Sequence, residues 1–129
     1  MTIAMEAAPD AVEGLYATGH WLYSQLRIEQ AMPVFRAMIH IAPHDERGWL
    51  ALGACHEVQD QFDIALEIYG AASAVAPAAP RCELARARIL FARGMDREAR
   101  QALTEASRIA DETRDPELRA CVADQRRRT

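Results

Sequence analysis

Residues 49–77 read WLALGACHEVQDQFDIALEIYGAASAVAP. Gly53 sits inside a helical run, an acidic and amide-rich turn follows at Gln59-Asp60-Gln61, and a second run rich in small residues closes at Pro77. Glycine weakens a helix interior by about 1 kcal/mol relative to alanine, so its place there needs a packing reason. The neighbouring sequence supplies one. Moved by 34 residues in either direction, Ala65 falls on Ala31 and Ala99, Gly53 on Gly19 and Ala87, and Tyr69 on Phe35 and Leu103. Ala72 falls on Met38 and Ala106, and Pro77 on Pro43 and Asp111. Trp49 falls on Leu15 and, less well, on Glu83.

A 34-residue period with small, small, aromatic and proline positions is the tetratricopeptide pattern, in which each unit is two antiparallel helices. Gly19, Gly53 and Ala87 then mark where two helices cross, and Ala31, Ala65 and Ala99 meet them from the second helix. Trp49, Leu52, Phe35 and Tyr69 fill the space beside the crossing. Pro43 and Pro77 end the second helices, because proline lacks the N–H and clashes with the preceding turn. The expected fold is all-α: a tetratricopeptide-repeat superhelix of three helix pairs plus a C-terminal capping helix. One domain covers 1–129, with repeats at about 12–45, 46–79 and 80–113 and a last helix at about 115–124. First helices are expected at 10–25, 46–58 and 80–93, and second helices at 28–41, 61–75 and 96–110. Asp10 with Glu13 reads as a capping box, Asp45 as a cap, Pro80 as a first-turn proline and Gly94 as a helix stop. Pro33 predicts a loosened first turn or a small kink.

Composition bounds the function. Half of the 129 residues are hydrophobic and a quarter charged, which suits a folded domain. No apolar stretch is long enough to span a bilayer, and the N-terminal residues carry no basic, apolar leader, so a cytoplasmic location without membrane insertion is expected. All fifteen basic residues are arginine. Residues 1–79 hold ten acids and three arginines (net −7), and residues 80–129 hold nine acids and twelve arginines (net +3), which together give the formal charge of −4. An acidic whole argues against nucleic-acid binding. Arg126-Arg127-Arg128 reads as a frayed, solvated tail. Cys55, Cys82 and Cys121, with no CxxC, read as reduced and mostly buried thiols.

Stacked repeats curve, and the first helices line the inner surface. Tyr16, His20 and Tyr23 recur at i, i+4 and i+7 on the first of them, outside the core slots taken by Leu15, Gly19 and Leu22. Arg47, Leu50, Ala54 and Glu57 follow from the second helix of this set, and Leu84, Arg88 and Phe91 from the third. This face is either an apolar groove or a surface covered by another helix or subunit. A groove with small residues opposite rings suits an extended peptide with spaced apolar anchors. Two or three anchors at roughly 1.5–3 kcal/mol each, less ordering costs, give about micromolar affinity. Chemistry is not expected. Pro43 separates His40 from His44, His56 and Glu57 lack a third partner, and there is no phosphate loop. Neither metal, cofactor nor catalytic residue is assigned. Arg81, Arg86, Arg88 and Arg93 read as a solvated stripe pairing with Glu83 and Asp96.

The run LGACHEVQDQFDIALEIYGAASAVAPAAPR, residues 52–81, resembles the second repeat of the class II chaperones of bacterial type III secretion systems. The shared features are Leu52-Gly53-Ala54-Cys55, Phe62-Asp63, Ala65, Tyr69 and Pro80-Arg81. LYATGHWLYSQLRIEQAMPVFRAMIHIAPHD resembles their first repeat and ARARILFARGMDREARQAL their third, so the likeness covers about residues 12–110. The resemblance implies a chaperone, not an enzyme, whose concave groove holds an extended segment of a hydrophobic translocator and keeps it soluble for export. It maps an aromatic pocket onto Tyr16, His20 and Tyr23. His20 departs from the usual carbocyclic ring and would make the pocket more polar or pH-dependent. Cys82 and Leu84 stand at positions that resemble Phe sites in the family. About ten residues precede the first repeat, fewer than the family's dimerising arm, so dimerisation through such an arm is not expected; another homodimer surface and a monomer both stay open. The alternatives are a chaperone of a needle subunit or effector, and a general repeat adaptor.

Overall fold

The computed structural model describes residues 9–76 and 78–129, and all regular structure among them is helical. Seven helices follow one another: α1 (Pro9–Ser24), α2 (Ile28–Ile41), α3 (Glu46–Val58), α4 (Phe62–Val75), α5 (Pro80–Ala92), α6 (Asp96–Thr113) and α7 (Pro116–Arg128). Helix α1 packs on α2, α3 on α4 and α5 on α6. The first helices also touch in series, α1 on α3, α3 on α5 and α5 on α7, which makes them one continuous layer. This is the tetratricopeptide-like stack of helix pairs expected from the 34-residue period.

The glycines explain why each pair closes. A Cβ built on Gly19 would lie 2.5 Å from Phe35 Cε1, and one on Gly53 would clash with the edge of the Tyr69 ring, 2.5 Å from its Cζ. The rings themselves therefore fill the notch. Ala31, Ala65 and Ala99 are fully buried one turn before the large residue. They support the crossing, but the ring is the nearest partner of the glycine. At the third crossing Ala87 carries the Cβ and packs with Leu103, a smaller side chain, so the volumes compensate. Leu52 packs with Phe35, and half-buried Trp49 packs on the Tyr69 cluster while its Nε1 donates to the Pro43 carbonyl at 2.9 Å.

The turns inside the three pairs repeat as well. Leu26, Asp60 and Gly94 are 34 residues apart and all adopt left-handed backbone, with φ of 62°, 60° and 76°. Asp45 caps α3, accepting the Arg47 N–H at 3.1 Å, and Asp115 caps α7, accepting that of Leu118 at 3.0 Å. Helix α5 begins with Pro80 and has no cap from its own Ala79. Glu46, at the start of α3, supplies it by accepting the N–H groups of Arg81 at 3.1 Å and Cys82 at 3.3 Å.

Several expectations change. Asp10 lies inside the first turn of α1, not ahead of it. Pro33 lies exposed inside α2, so the expected loosened turn or small kink falls within a continuous helix. Gln61 is a cap position before α4. Helix α6 continues three residues past 110, to a left-handed cap at Arg114. Helix α7 continues to Arg128, with Arg127 and Arg128 both paired to Asp124, so the arginine run is helical. Pro43 follows the end of α2 as expected, whereas the stop assigned to Pro77 lies outside the described residues.

Candidate functional site

The inner layer forms a groove whose first section is an aromatic pocket. Helix α1 presents Tyr16, His20 and Tyr23, since i, i+4 and i+7 share one helix face. Helix α3 presents Arg47, Leu50 and Ala54 opposite them. These six residues line one cavity of about 210 Å³ together with Ala51 and Phe35. Ala51 and Ala54 leave the space that the rings face. Phe35 belongs to the second helix and reaches the cavity because Gly19 lets its ring through. Sequence reading placed it in the core alone, although a ring opposite a glycine was the available signal.

Arg47 brings no free charge to this pocket. Its guanidinium binds both oxygens of Glu13, at 2.8 and 3.1 Å, and also Asp45 at 2.8 Å. Its flat face lies 4.7 Å from the centre of the Tyr16 ring, and Tyr16 in turn lies 5.9 Å from His20. An arginine held in this way acts as a rigid wall with neutralised charge. The Arg47 hydrogen bond lowers the Asp45 carboxyl from its ordinary 3.8.

Tyr23 and Ala54 also line the next cavity, of about 480 Å³, with Glu57, Val58, Phe62 and Arg88. Glu57 is anchored from beneath by the Tyr69 hydroxyl, which donates to it at 2.5 Å, and from the side by Arg88 at 2.8 Å. Burial first, then this carboxylate, pushes the Tyr69 hydroxyl far above its ordinary range, so it stays a donor. Arg88 and Phe91 line a further cavity toward the C-terminus.

Nine of the ten expected groove residues line this run of cavities. Leu84 does not. It is half-buried and packs against two core clusters, one holding Ala87, Leu103 and Val122 and the other Ile109 and Leu118. Phe62, noted from sequence only with Asp63 as a feature shared with the family, lies in the groove. The arginine stripe on α5 pairs differently from its sequence reading. Arg86 does meet Glu83 at 3.3 Å. Arg81 instead binds Glu46 and Asp115, and Arg93 binds Asp63, while the nearest arginine to Asp96 is Arg100 at 4.0 Å. Cys55 and Cys82 are buried, and Cys121 is exposed. Burial pushes the Cys55 thiol up to about 11 and raises that of Cys82 further, which keeps both protonated at neutral pH.

No family model matches the chain. It is 34% identical to the low calcium response locus protein H of Yersinia pestis over 125 residues, which are 95% of this chain and 74% of that protein. Its structure is similar to that of the type III secretion translocator chaperone SycD of Yersinia enterocolitica, with a TM-score of 0.77, 30% identity, and 91% and 88% of the two chains covered. It is also similar to SycD in complex with a peptide of the translocator YopD, with a TM-score of 0.73, 29% identity, and 92% and 91% covered.

Proposed function

The chain belongs to the translocator-chaperone family of type III secretion, and from that premise we propose that its groove binds an extended segment of a hydrophobic translocator in the bacterial cytoplasm. Bound there, the translocator stays soluble and competent for export. The observation that carries this reading is the aromatic pocket of Tyr16, His20, Tyr23, Arg47, Leu50 and Ala54, continuous through Tyr23 and Ala54 with the cavity at Glu57 and Arg88. An extended strand advances roughly 3.3 Å per residue and points alternate side chains the same way. Its apolar side chains can therefore enter successive cavities while its backbone runs between them.

The physical chemistry is that of binding, not of reaction. Each buried anchor contributes roughly 1.5–3 kcal/mol, and ordering the segment offsets part of this, which leaves about micromolar affinity. Such affinity suits a cargo that must be released. The groove's fixed polar groups are already partnered, Arg47 by two carboxylates and Glu57 by Tyr69 and Arg88. The site therefore needs no reorganisation before the anchors enter. Among the described residues no helix is long and apolar enough to cross a membrane.

The test is a pull-down from the native bacterial extract with bound proteins identified by mass spectrometry, run in parallel with Tyr16→Ala/Tyr23→Ala. Recovery of a secreted protein with transmembrane segments, lost in the double variant while circular dichroism and melting stay close to wild type, is the expected result. Recovery of a small needle subunit would move the assignment to that cargo. Recovery of the translocator undiminished by the double variant would displace the contact surface from this pocket.

A further inference from the structure

The groove continues past Phe91 and changes character there. Beyond Arg88 a cavity of about 700 Å³ opens between α5, the first half of α6 and the end of α7, a volume within the usual range for ligand sites. Its apolar wall includes Phe91 and Leu103. Four arginines line it, Arg88, Arg100, Arg126 and Arg128, against one side-chain carboxylate, Asp96, and the terminal Thr129. Two of these cations are committed elsewhere, Arg88 to Glu57 at 2.8 Å and Arg128 to Asp124 at 3.1 Å. Arg100 is held only loosely, 4.0 Å from Asp96 with its side chain 70% exposed. Arg126 makes no ion pair among the described residues. The contrast with the first pocket is direct, since there the single arginine is neutralised by Glu13 and Asp45.

We infer that this end of the groove binds acidic side chains of the same cargo segment, on one flank of its apolar anchors. The cavity joins the groove at Arg88, so a chain seated on Tyr16, Tyr23 and Leu50 can run on into it. An apolar wall beside free guanidinium groups fits a segment that carries aspartate or glutamate next to an apolar residue. Arginine holds such carboxylates through paired N–H donors. The inference rests on the translocator-chaperone reading and adds the direction and charge pattern of the cargo.

The experiment uses three fluorescein-labelled peptides built on the YopD segment bound by SycD. One carries three extra glutamates at its N-terminus, one carries them at its C-terminus, and the third carries serines at both ends. Binding to the full chain is followed by fluorescence anisotropy. One glutamate peptide, and not the other, is expected to bind about fivefold to tenfold tighter than the serine peptide at low salt. The gain should vanish in Arg100→Glu/Arg126→Glu, whose unchanged affinity for the serine peptide shows that the fold and the aromatic pocket are intact. Equal binding of all three peptides, or a gain that survives in the variant, overturns the inference and leaves the groove reading standing. Binding of none overturns both. Competition by a single-stranded oligonucleotide as effective as the glutamate peptide would mark a general polyanion surface and likewise overturn it.

Discussion

The first two helix pairs and the third solve the same packing problem in opposite ways. Pairs α1–α2 and α3–α4 place glycine at the crossing and a ring over it, while their turns hold Leu26 and Asp60 in left-handed backbone. Pair α5–α6 places Ala87 at the crossing under the smaller Leu103, and puts its glycine, Gly94, in the turn. The first arrangement lets a ring reach from the second helix to the inner face. Phe35 lines the aromatic pocket this way, and Tyr69 reaches Glu57. The third crossing has no ring to pass, and the groove beside it takes its character from arginines. A packing choice made in the core thus sets what each end of the groove offers a ligand.

The largest expected effect comes from exchanging the two arrangements. Gly19→Ala should destabilise the fold by about 1–3 kcal/mol, because the new methyl group meets the Phe35 ring at the distances above. Phe35→Leu alone leaves a void, also costly. Gly19→Ala/Phe35→Leu reproduces the third crossing and should cost less than the sum of the single changes by about 1 kcal/mol or more. Urea denaturation of the four proteins measures this coupling. Additive costs would mean that ring and glycine are independent, and the comparison would fail. The double variant should also weaken peptide binding even where stability recovers, since the pocket loses its floor. Gly70→Ala is the control: nothing lies within 4 Å of its would-be Cβ, so it should stabilise α4 by about 0.5–1 kcal/mol.

The joint between the two kinds of pair is Glu46, reaching from α3 to the start of α5. Glu46→Ala removes the acceptor of two N–H groups and should cost about 1–2 kcal/mol. Glu46→Gln keeps an acceptor and should cost far less. Burial holds the Glu46 carboxyl above its ordinary 4.5, although the Cys82 and Arg81 N–H groups oppose it. A raised carboxyl stabilises the fold most below 4.5 and loses that contribution as pH rises through the raised value. The melting temperature of wild type relative to Glu46→Gln should therefore increase as pH falls from 7 toward 4.5. Asp45 and Asp115 behave oppositely. Arg47 lowers the first, and the Leu118 N–H and then Arg81 lower the second, both from 3.8. Their stabilisation is present above 3.8 and is lost as pH falls further. Asp45→Asn should thus converge on wild type in strongly acidic solution and differ from it at neutral pH. A parallel pH dependence of Glu46→Gln and Asp45→Asn would contradict these assignments.

Helix pairs were legible because their determinants lie within one repeat. Gly53 with Tyr69, Asp45 before α3 and Asp115-Pro116 before α7 are local signals, and bounds followed within a few residues. The groove face was legible from helical spacing once the repeat register was known. Contacts between repeats were harder. Arg47 with Glu13 and Arg81 with Asp115 are each 34 residues apart, so all four occupy one position in successive units. The register held that signal, but only stacking shows that equivalent positions touch. Leu84 stands apart from the other groove positions for a related reason. It has the spacing of a groove residue, and α7 closes over that part of α5. The acid-binding end was hidden because a run of three arginines looks like solvated chain until α7 carries it beside α5 and α6.

The smallest effect lies in the turns, where the comparison is purest. Left-handed backbone costs a residue with a Cβ roughly 1 kcal/mol relative to glycine. Leu26 bears that cost while 79% exposed, so little burial offsets it. Leu26→Gly should therefore stabilise the chain by up to about 1 kcal/mol. Gly94→Ala should destabilise it by a similar amount, and nothing lies within 4 Å of that Cβ, so backbone conformation alone would be the cause. Asp60 should fall between them, because a short polar side chain tolerates this region better than leucine. Melting curves for Leu26→Gly, Asp60→Gly and Gly94→Ala test the order. A loss of stability in Leu26→Gly would show that the leucine side chain makes a contact worth more than the strain it carries. The first turn would then owe its residue to packing and the third to backbone geometry.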